Sequence, residues 1–180
     1  MYRAMTVQNS LQDNVLPSDA SAGQILCRPI GFVRSAFTET VGMPIQTAGS
    51  PDEPGCVEVR EEFRAGLRDI EGFEFLILLT HLHRAQERLE VVPFLDDESH
   101  GVFATRAPAR PNRIGLSIVK LVGVEGGVLH FTGNDMLDGT PVLDIKPYVP
   151  RFDVRDTERI GWFAKKIAQL PGTRADGRMD

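Results

Sequence analysis

Three groups of side chains stand out for what their types and spacing could do. His81 and His83 form an HxH pair at the end of an apolar run. Residues two apart on a strand share a face, so both imidazoles could meet one metal ion. No third ligand stands at a recognisable spacing, and a pair of half-buried imidazoles at a strand end explains the pattern without a metal. Residues 104–113, ATRAPARPNR, carry Arg106, Arg110 and Arg113 with no acid among them. Two prolines stiffen that loop, so its guanidiniums could hold a carboxylate or phosphate at little entropic cost. Pairing with Asp96, Asp97 and Glu98 upstream is the alternative. The third group is DMLDGTPVLDIKPY, where Asp135, Asp138 and Asp144 could accept hydroxyl protons; Asp138-Gly139 could equally be a plain tight turn.

Other chemistries find no support. His100 and His130 stand alone, and Ser99 and Ser117 lack the GxSxG setting of a nucleophile elbow. There is no strand–GxGxxG–helix unit and no GxxxxGK[ST] loop, so neither a Rossmann site nor a P-loop is expected.

The elements that must position these groups are mostly strands. ILCRPIGFVRS reads as an opening strand. VGMPIQTAGSPDEPGC follows, with three prolines and three glycines, and cannot hold a regular ladder. It is a long loop of the kind that often carries function. CVEVREEF resumes as a strand, and FRAGLRDIEGF is a short helical turn stopped at Gly72. FEFLILLTHLH has the continuous apolar character of a strand buried on both faces. GVFATRA reads as a further strand, and LSIVKLVGVEGGVLHFTGND as a hairpin around Glu125-Gly126-Gly127. A short strand lies between the prolines of LDGTPVLDIKPYVPRFD. Finally, DTERIGWFAKKIAQL aligns Ile160, Phe163, Ile167 and Leu170 on one helical stripe, capped at Asp156 or Thr157 and ended by Pro171-Gly172. Many short strands with few helices predict a mainly β fold, a small antiparallel barrel or sandwich with a closing helix.

The bounds agree. At 180 residues the chain fits one domain that needs no disulfide or metal. We divide it into a polar, mobile N-terminal arm (1–24), a β domain with its closing helix (25–170) and a tail (171–180). Cys27 and Cys56 lie far apart and form no CxxC pair. Neither a membrane-spanning run nor a signal-peptide pattern is present, which predicts a soluble, cytoplasmic protein. A net charge of -5 disfavours nonspecific coating of nucleic acid, though not a local basic patch.

Two strings, GVFATRAPARPNRIGLS and LDGTPVLDIKPYVP, in that order and with IGFVRS and GLRDIEGF upstream, resemble the TsaA-like family over roughly residues 28–165. The resemblance implies a β-barrel, non-Rossmann methyltransferase dependent on S-adenosyl-L-methionine. Its best-characterised members methylate N6 of a threonylcarbamoyl-modified adenosine beside the tRNA anticodon. It also implies a homodimer with the cofactor site near the subunit interface. From the spacing of the histidines, no metal is expected. Carried over by motif, the cofactor contacts are Pro44, Ile45 and Gln46 in the long loop, His83 and Arg84 after the apolar strand, Arg106 and Leu116, and Asp135, Met136, Leu137 and Asp138 in the acidic turn. Within this frame Arg106 is expected on the methionyl carboxylate and Asp135 or Asp138 on ribose hydroxyls. Asp138 and His83 are the candidates to take the proton from the attacking nitrogen. Arg110, Asn112, Arg113, Lys146 and Tyr148 are expected to meet the substrate. Three positions depart from the family pattern: Ile45 for an arginine, Ala85 for an asparagine and Arg113 for a proline. Two further readings stay open, a methyltransferase with a small-molecule acceptor and a dimeric cofactor-binding module without turnover.

Overall fold

The computed structural model describes residues 25–179, so the N-terminal arm proposed for 1–24 lies outside the described residues. Among the described residues eight strands form: β1 Gly31–Arg34, β2 Pro54–Val59, β3 Phe75–His81, β4 Glu90–Val91, β5 His100–Gly101, β6 Ile114–Glu125, β7 Val128–Thr132 and β8 Pro141–Pro147. Six of them close an antiparallel barrel in the order β1-β2-β7-β6-β3-β8, while β4 and β5 make a separate two-stranded ribbon. Closure removes the open edges that short strands would otherwise expose.

The barrel is built by period-2 burial. Val33, Val57, Val59, Leu76, Leu78, Val119, Leu129, Phe131 and Val142 fill the lumen and are almost wholly buried. Gly31 has no side chain because a Cβ there would sit 2.5 Å from the Glu58 carbonyl oxygen. The β6–β7 hairpin turns at Gly126 and Gly127, with φ of 58° and 88°, the positive values a tight two-residue turn requires.

Three elements differ from the sequence-based reading. β3 alternates between fully and partly buried positions, so its outer face is not core. Its continuous apolar run hides a half-buried barrel strand, which periodicity alone does not separate from a strand buried on both faces. GVFATRA is not a strand: His100–Gly101 pairs with β4, then Val102–Ala104 turns as a 3-10 helix. The closing helix is also absent as an α-helix. Gly161 takes φ 62°, and the chain instead forms 3-10 turns at Gly161–Lys165 and Ile167–Gln169. A left-handed residue interrupts the helical hydrogen-bond ladder. Trp162 fixes the alternative path by stacking between His100 and Phe163 while its indole N–H donates to Ala104 O at 2.9 Å. The one α-helix among the described residues, α1, is the single turn Pro150–Asp153. No helix among the described residues is long and apolar enough to cross a membrane.

Candidate functional site

One end of the lumen changes from apolar to polar. Thr80, Ser117, Asn134 and Thr140 are all buried there. Above them the chain's irregular segments enclose a cavity of about 540 Å³, within the range of small-molecule sites. Strand register explains which side chains arrive. His81 pairs with Ile114 and Thr80 with Gly115, so the end of β3 and the start of β6 form one wall. Leu82 N–H donates to Arg113 O at 2.7 Å, tying His83 and Arg84 to the arginine loop.

The acidic turn is braced from inside. Asn134, fully buried, donates from Nδ2 to Ser35 Oγ at 2.7 Å and to Met136 O at 3.2 Å, and accepts from Met136 N–H at 3.1 Å. These bonds hold Asp135, Met136 and Leu137 towards the cavity. Gly139, at φ 75°, closes the tight turn, with Thr140 N–H donating to Leu137 O.

Charge is distributed unevenly across the cavity. Burial pushes the Asp135 carboxyl up to about 6, against the opposing pull of the Ser117 hydroxyl, which donates at 2.6 Å, and of the Arg106 charge. Arg106 donates from Nη2 to Leu116 O at 3.3 Å and is otherwise exposed at the rim. Burial, with the charges of Arg84 and His81, lowers the pKa of His83 and favours the neutral imidazole. Its Nδ1 is buried without a hydrogen-bond partner. Such an atom is costly to leave unpaired.

Ten of the eleven cofactor-contact candidates share this cavity: Pro44, Ile45, Gln46, His83, Arg84, Arg106, Leu116, Asp135, Met136 and Leu137. Asp138 does not line it. Its Oδ1 accepts the Ser35 N–H at 3.1 Å, and its other oxygen lies 3.9 Å from Arg34. The substrate candidates scatter. Arg110 lines the cavity, but its Nη1 is shared among the carbonyls of Val102, Thr105 and Ala107, where it knots its own loop together. Asn112 is exposed, and Arg113, at φ 50°, reaches Ala85 O. Lys146 pairs with Asp144, and Tyr148 packs edge-on against Phe75. Both lie at the other end of the barrel, since Lys146 is opposite Ile77 and Tyr148 N–H donates to Phe75 O near the start of β3. No metal-binding group of three or more His, Cys, Asp or Glu occurs among the described residues.

Sequence reasoning missed Ser117 and Asn134, and missed Thr105, Phe94, Ala175, Gly177 and Met179 on the cavity wall. A polar residue at an inward position of an otherwise apolar strand, as Ser117 is in LSIVKL, was the available signal. The tail residues gave none.

The model of the tRNA-methyltransferase O N-terminal domain matches residues 32–154, which contain the barrel and every cavity segment but the tail. The chain belongs to the tRNA-methyltransferase O family. This is a family of S-adenosyl-L-methionine-dependent methyltransferases. A probable S-adenosyl-L-methionine-binding protein of Pyrococcus abyssi is 54% identical over 155 residues, covering 86% of this chain and 84% of the relative. The mouse tRNA (adenine(37)-N6)-methyltransferase is 39% identical over 140 residues, 73% of this chain but 32% of that enzyme. A crystal structure of TrmO from Pseudomonas aeruginosa superposes with a TM-score of 0.65 at 40% identity, over 77% of this chain and 62% of that one. The chain thus spans about a third of the mouse enzyme and under two thirds of the bacterial structure. The tRNA-methyltransferase O barrel is the part they share.

Proposed function

We propose that the cavity binds S-adenosyl-L-methionine and that the protein transfers its methyl group to N6 of an adenosine near the tRNA anticodon. The convergence of ten motif residues on one cavity carries this reading. The cavity suits the donor in size and in chemistry: two rim arginines for a carboxylate, a half-buried acid for hydroxyls or an amine, and apolar walls. Arg106 would hold the methionyl carboxylate, Asp135 the ribose hydroxyls, and Leu116 with Leu137 the adenine. When bound, the donor supplies an electrophilic methyl on a sulfonium.

The protein's own work is orientation and proton removal. An exocyclic adenine nitrogen is a weak nucleophile because its lone pair is delocalised into the ring. His83 is the better of the two proton acceptors foreseen, being on the cavity wall and held neutral by its lowered pKa. Asp138 is committed to Ser35 and Arg34. Phe103, 76% exposed beside the cavity with Arg110 5.9 Å from its ring centre, offers a face on which an unstacked base can lie. The name of the mouse relative supports a tRNA substrate, and hence work in the cytoplasm. A homodimer is part of the same reading, supported by exposed apolar residues such as Phe152 and Val154.

The test begins with thermal shift. At about 100 times its dissociation constant the donor adds about 2.7 kcal/mol, or roughly 5–10 °C for a chain of this size, and ATP adds nothing. Labelled donor with a tRNA pool then reads turnover. Binding without turnover on any tRNA would favour the cofactor-binding module, the function for which the Pyrococcus relative is named. Methylation of a small molecule, insensitive to salt, would move the acceptor away from RNA.

A further inference from the structure

The cavity has a wall that the family-matched residues do not supply. Ala175, Gly177 and Met179 line it, some twenty residues beyond the matched segment. The strand of chain that carries them is anchored on both sides. On one side Ala175 N–H donates to Met43 O at 2.9 Å, Gly42 N–H donates to Ala175 O at 2.8 Å, and Pro44 bridges Arg174. Arg174 also donates to Ser50 Oγ. These contacts fall on the long loop that holds Pro44 and Gln46.

On the other side Met179 is buried with Val91, Val102, Ala107 and Ala109, behind the arginine loop. Arg178 pairs with Asp176, donates to Pro93 O and Asp96 O, and lies 5.7 Å from the ring centre of Phe94, itself a cavity residue. Gly177, at φ 84°, gives the bend between the two anchorages. Residues 174–179 therefore form a strap from the long-loop wall to the arginine-loop wall.

We infer that this strap is a binding element of the site, holding the methyl donor against Gln46 and Arg106 and fixing the spacing of the two loops. The inference rests on the reading of the cavity given above. Neither loop has a strand ladder; the Leu82–Arg113 bond holds only the end of the arginine loop, and the strap's backbone bonds and its buried methionine add the link between the two loops.

The experiment compares S-adenosyl-L-methionine affinity, by calorimetry, in the full chain and in a variant ending at Gly172. A loss of tenfold or more, with the circular dichroism of the barrel intact, is the expected result. If that variant does not fold, the double variant Arg178→Ala, Met179→Ala is held to the same criterion. Trypsin gives a second readout: saturating donor should slow cleavage after the exposed Arg174 and Arg178 at least tenfold, while cleavage after the exposed Arg155 changes much less. Equal affinity within twofold in full chain and variant, or equal protection at all three arginines, overturns the strap's role and leaves the methyl-donor reading standing. Failure of the full chain to bind the donor overturns that reading, and the strap inference with it.

Discussion

The Ser117 hydroxyl donates to Asp135 Oδ1 at 2.6 Å, at the level where the barrel's apolar lumen opens into the cavity. One residue comes from β6 and the other from the turn before β8, so the bond couples the barrel to the site. It only partly offsets the cost of burying the carboxylate, whose pKa remains up at about 6.

Asp135→Asn should therefore stabilise the ligand-free protein. The side-chain amide keeps an acceptor for Ser117 and removes a poorly solvated charge. A gain of about 1–3 kcal/mol at pH 7.5 is expected, with S-adenosyl-L-methionine affinity falling at least tenfold. Denaturant melts and calorimetry on the same samples check both.

The same residue sets a pH window. Its folded pKa, about 6, exceeds the unfolded value of about 3.9, so the native state binds more protons between them. This residue's contribution to stability should fall as pH rises from about 4 to 6 and level off above. Donor affinity should run the other way, weakening as pH drops below about 6. Comparing Asp135→Asn with wild type from pH 4.5 to 8 isolates the contribution, since the variant should lack it.

His83→Ala and Asp138→Ala should separate chemistry from architecture. Loss of the neutral imidazole should lower kcat about 100-fold. Loss of the Asp138 carboxylate removes the acceptor for Ser35 N–H and should cost about 1 kcal/mol of stability, with kcat within threefold of wild type. Single-turnover methylation beside thermal melts distinguishes them; a collapse of turnover in folded Asp138→Ala would restore Asp138 as the base.

Two arginines of one loop should behave differently. Arg106→Ala should weaken donor binding tenfold or more while leaving the melting temperature within about 2 °C. Arg110→Ala frees three carbonyls that its guanidinium holds, and should lower the melting temperature by several degrees, with Lys a poor replacement.

Gly31→Ala tests barrel closure. The new Cβ would meet the Glu58 carbonyl at 2.5 Å and Val57 Cγ1 at 3.1 Å, both on the neighbouring strand. A cost of about 1–3 kcal/mol in chemical denaturation is expected.

Local chemistry made much of this protein legible in advance. Alternating side chains around Gly126-Gly127 allow little besides a hairpin, and the proline- and glycine-rich stretch expected as a loop from Val41 to Cys56 is one as far as Glu53, its last three residues pairing in β2. The motif strings carried the family and pointed to Pro44–Gln46, His83, Arg106 and the Asp135 turn, all of which meet at the cavity. Tertiary structure decided what depends on distant neighbours. The apolar stripe of 160–170 had a helical period, but Gly161 and the stacking of Trp162 on His100 set another path. Asp138 looked free to meet ligands until the backbone N–H of Ser35, about 100 residues away, claimed it. Ser117 acquired meaning only when closure placed Asp135 within 2.6 Å. The tail has little apolar periodicity of its own, and lines the cavity because Met43, Phe94 and Val102 leave room for it there. Periodicity and turn chemistry act over a few residues, whereas the identity of a side chain's partner is a property of the closed barrel.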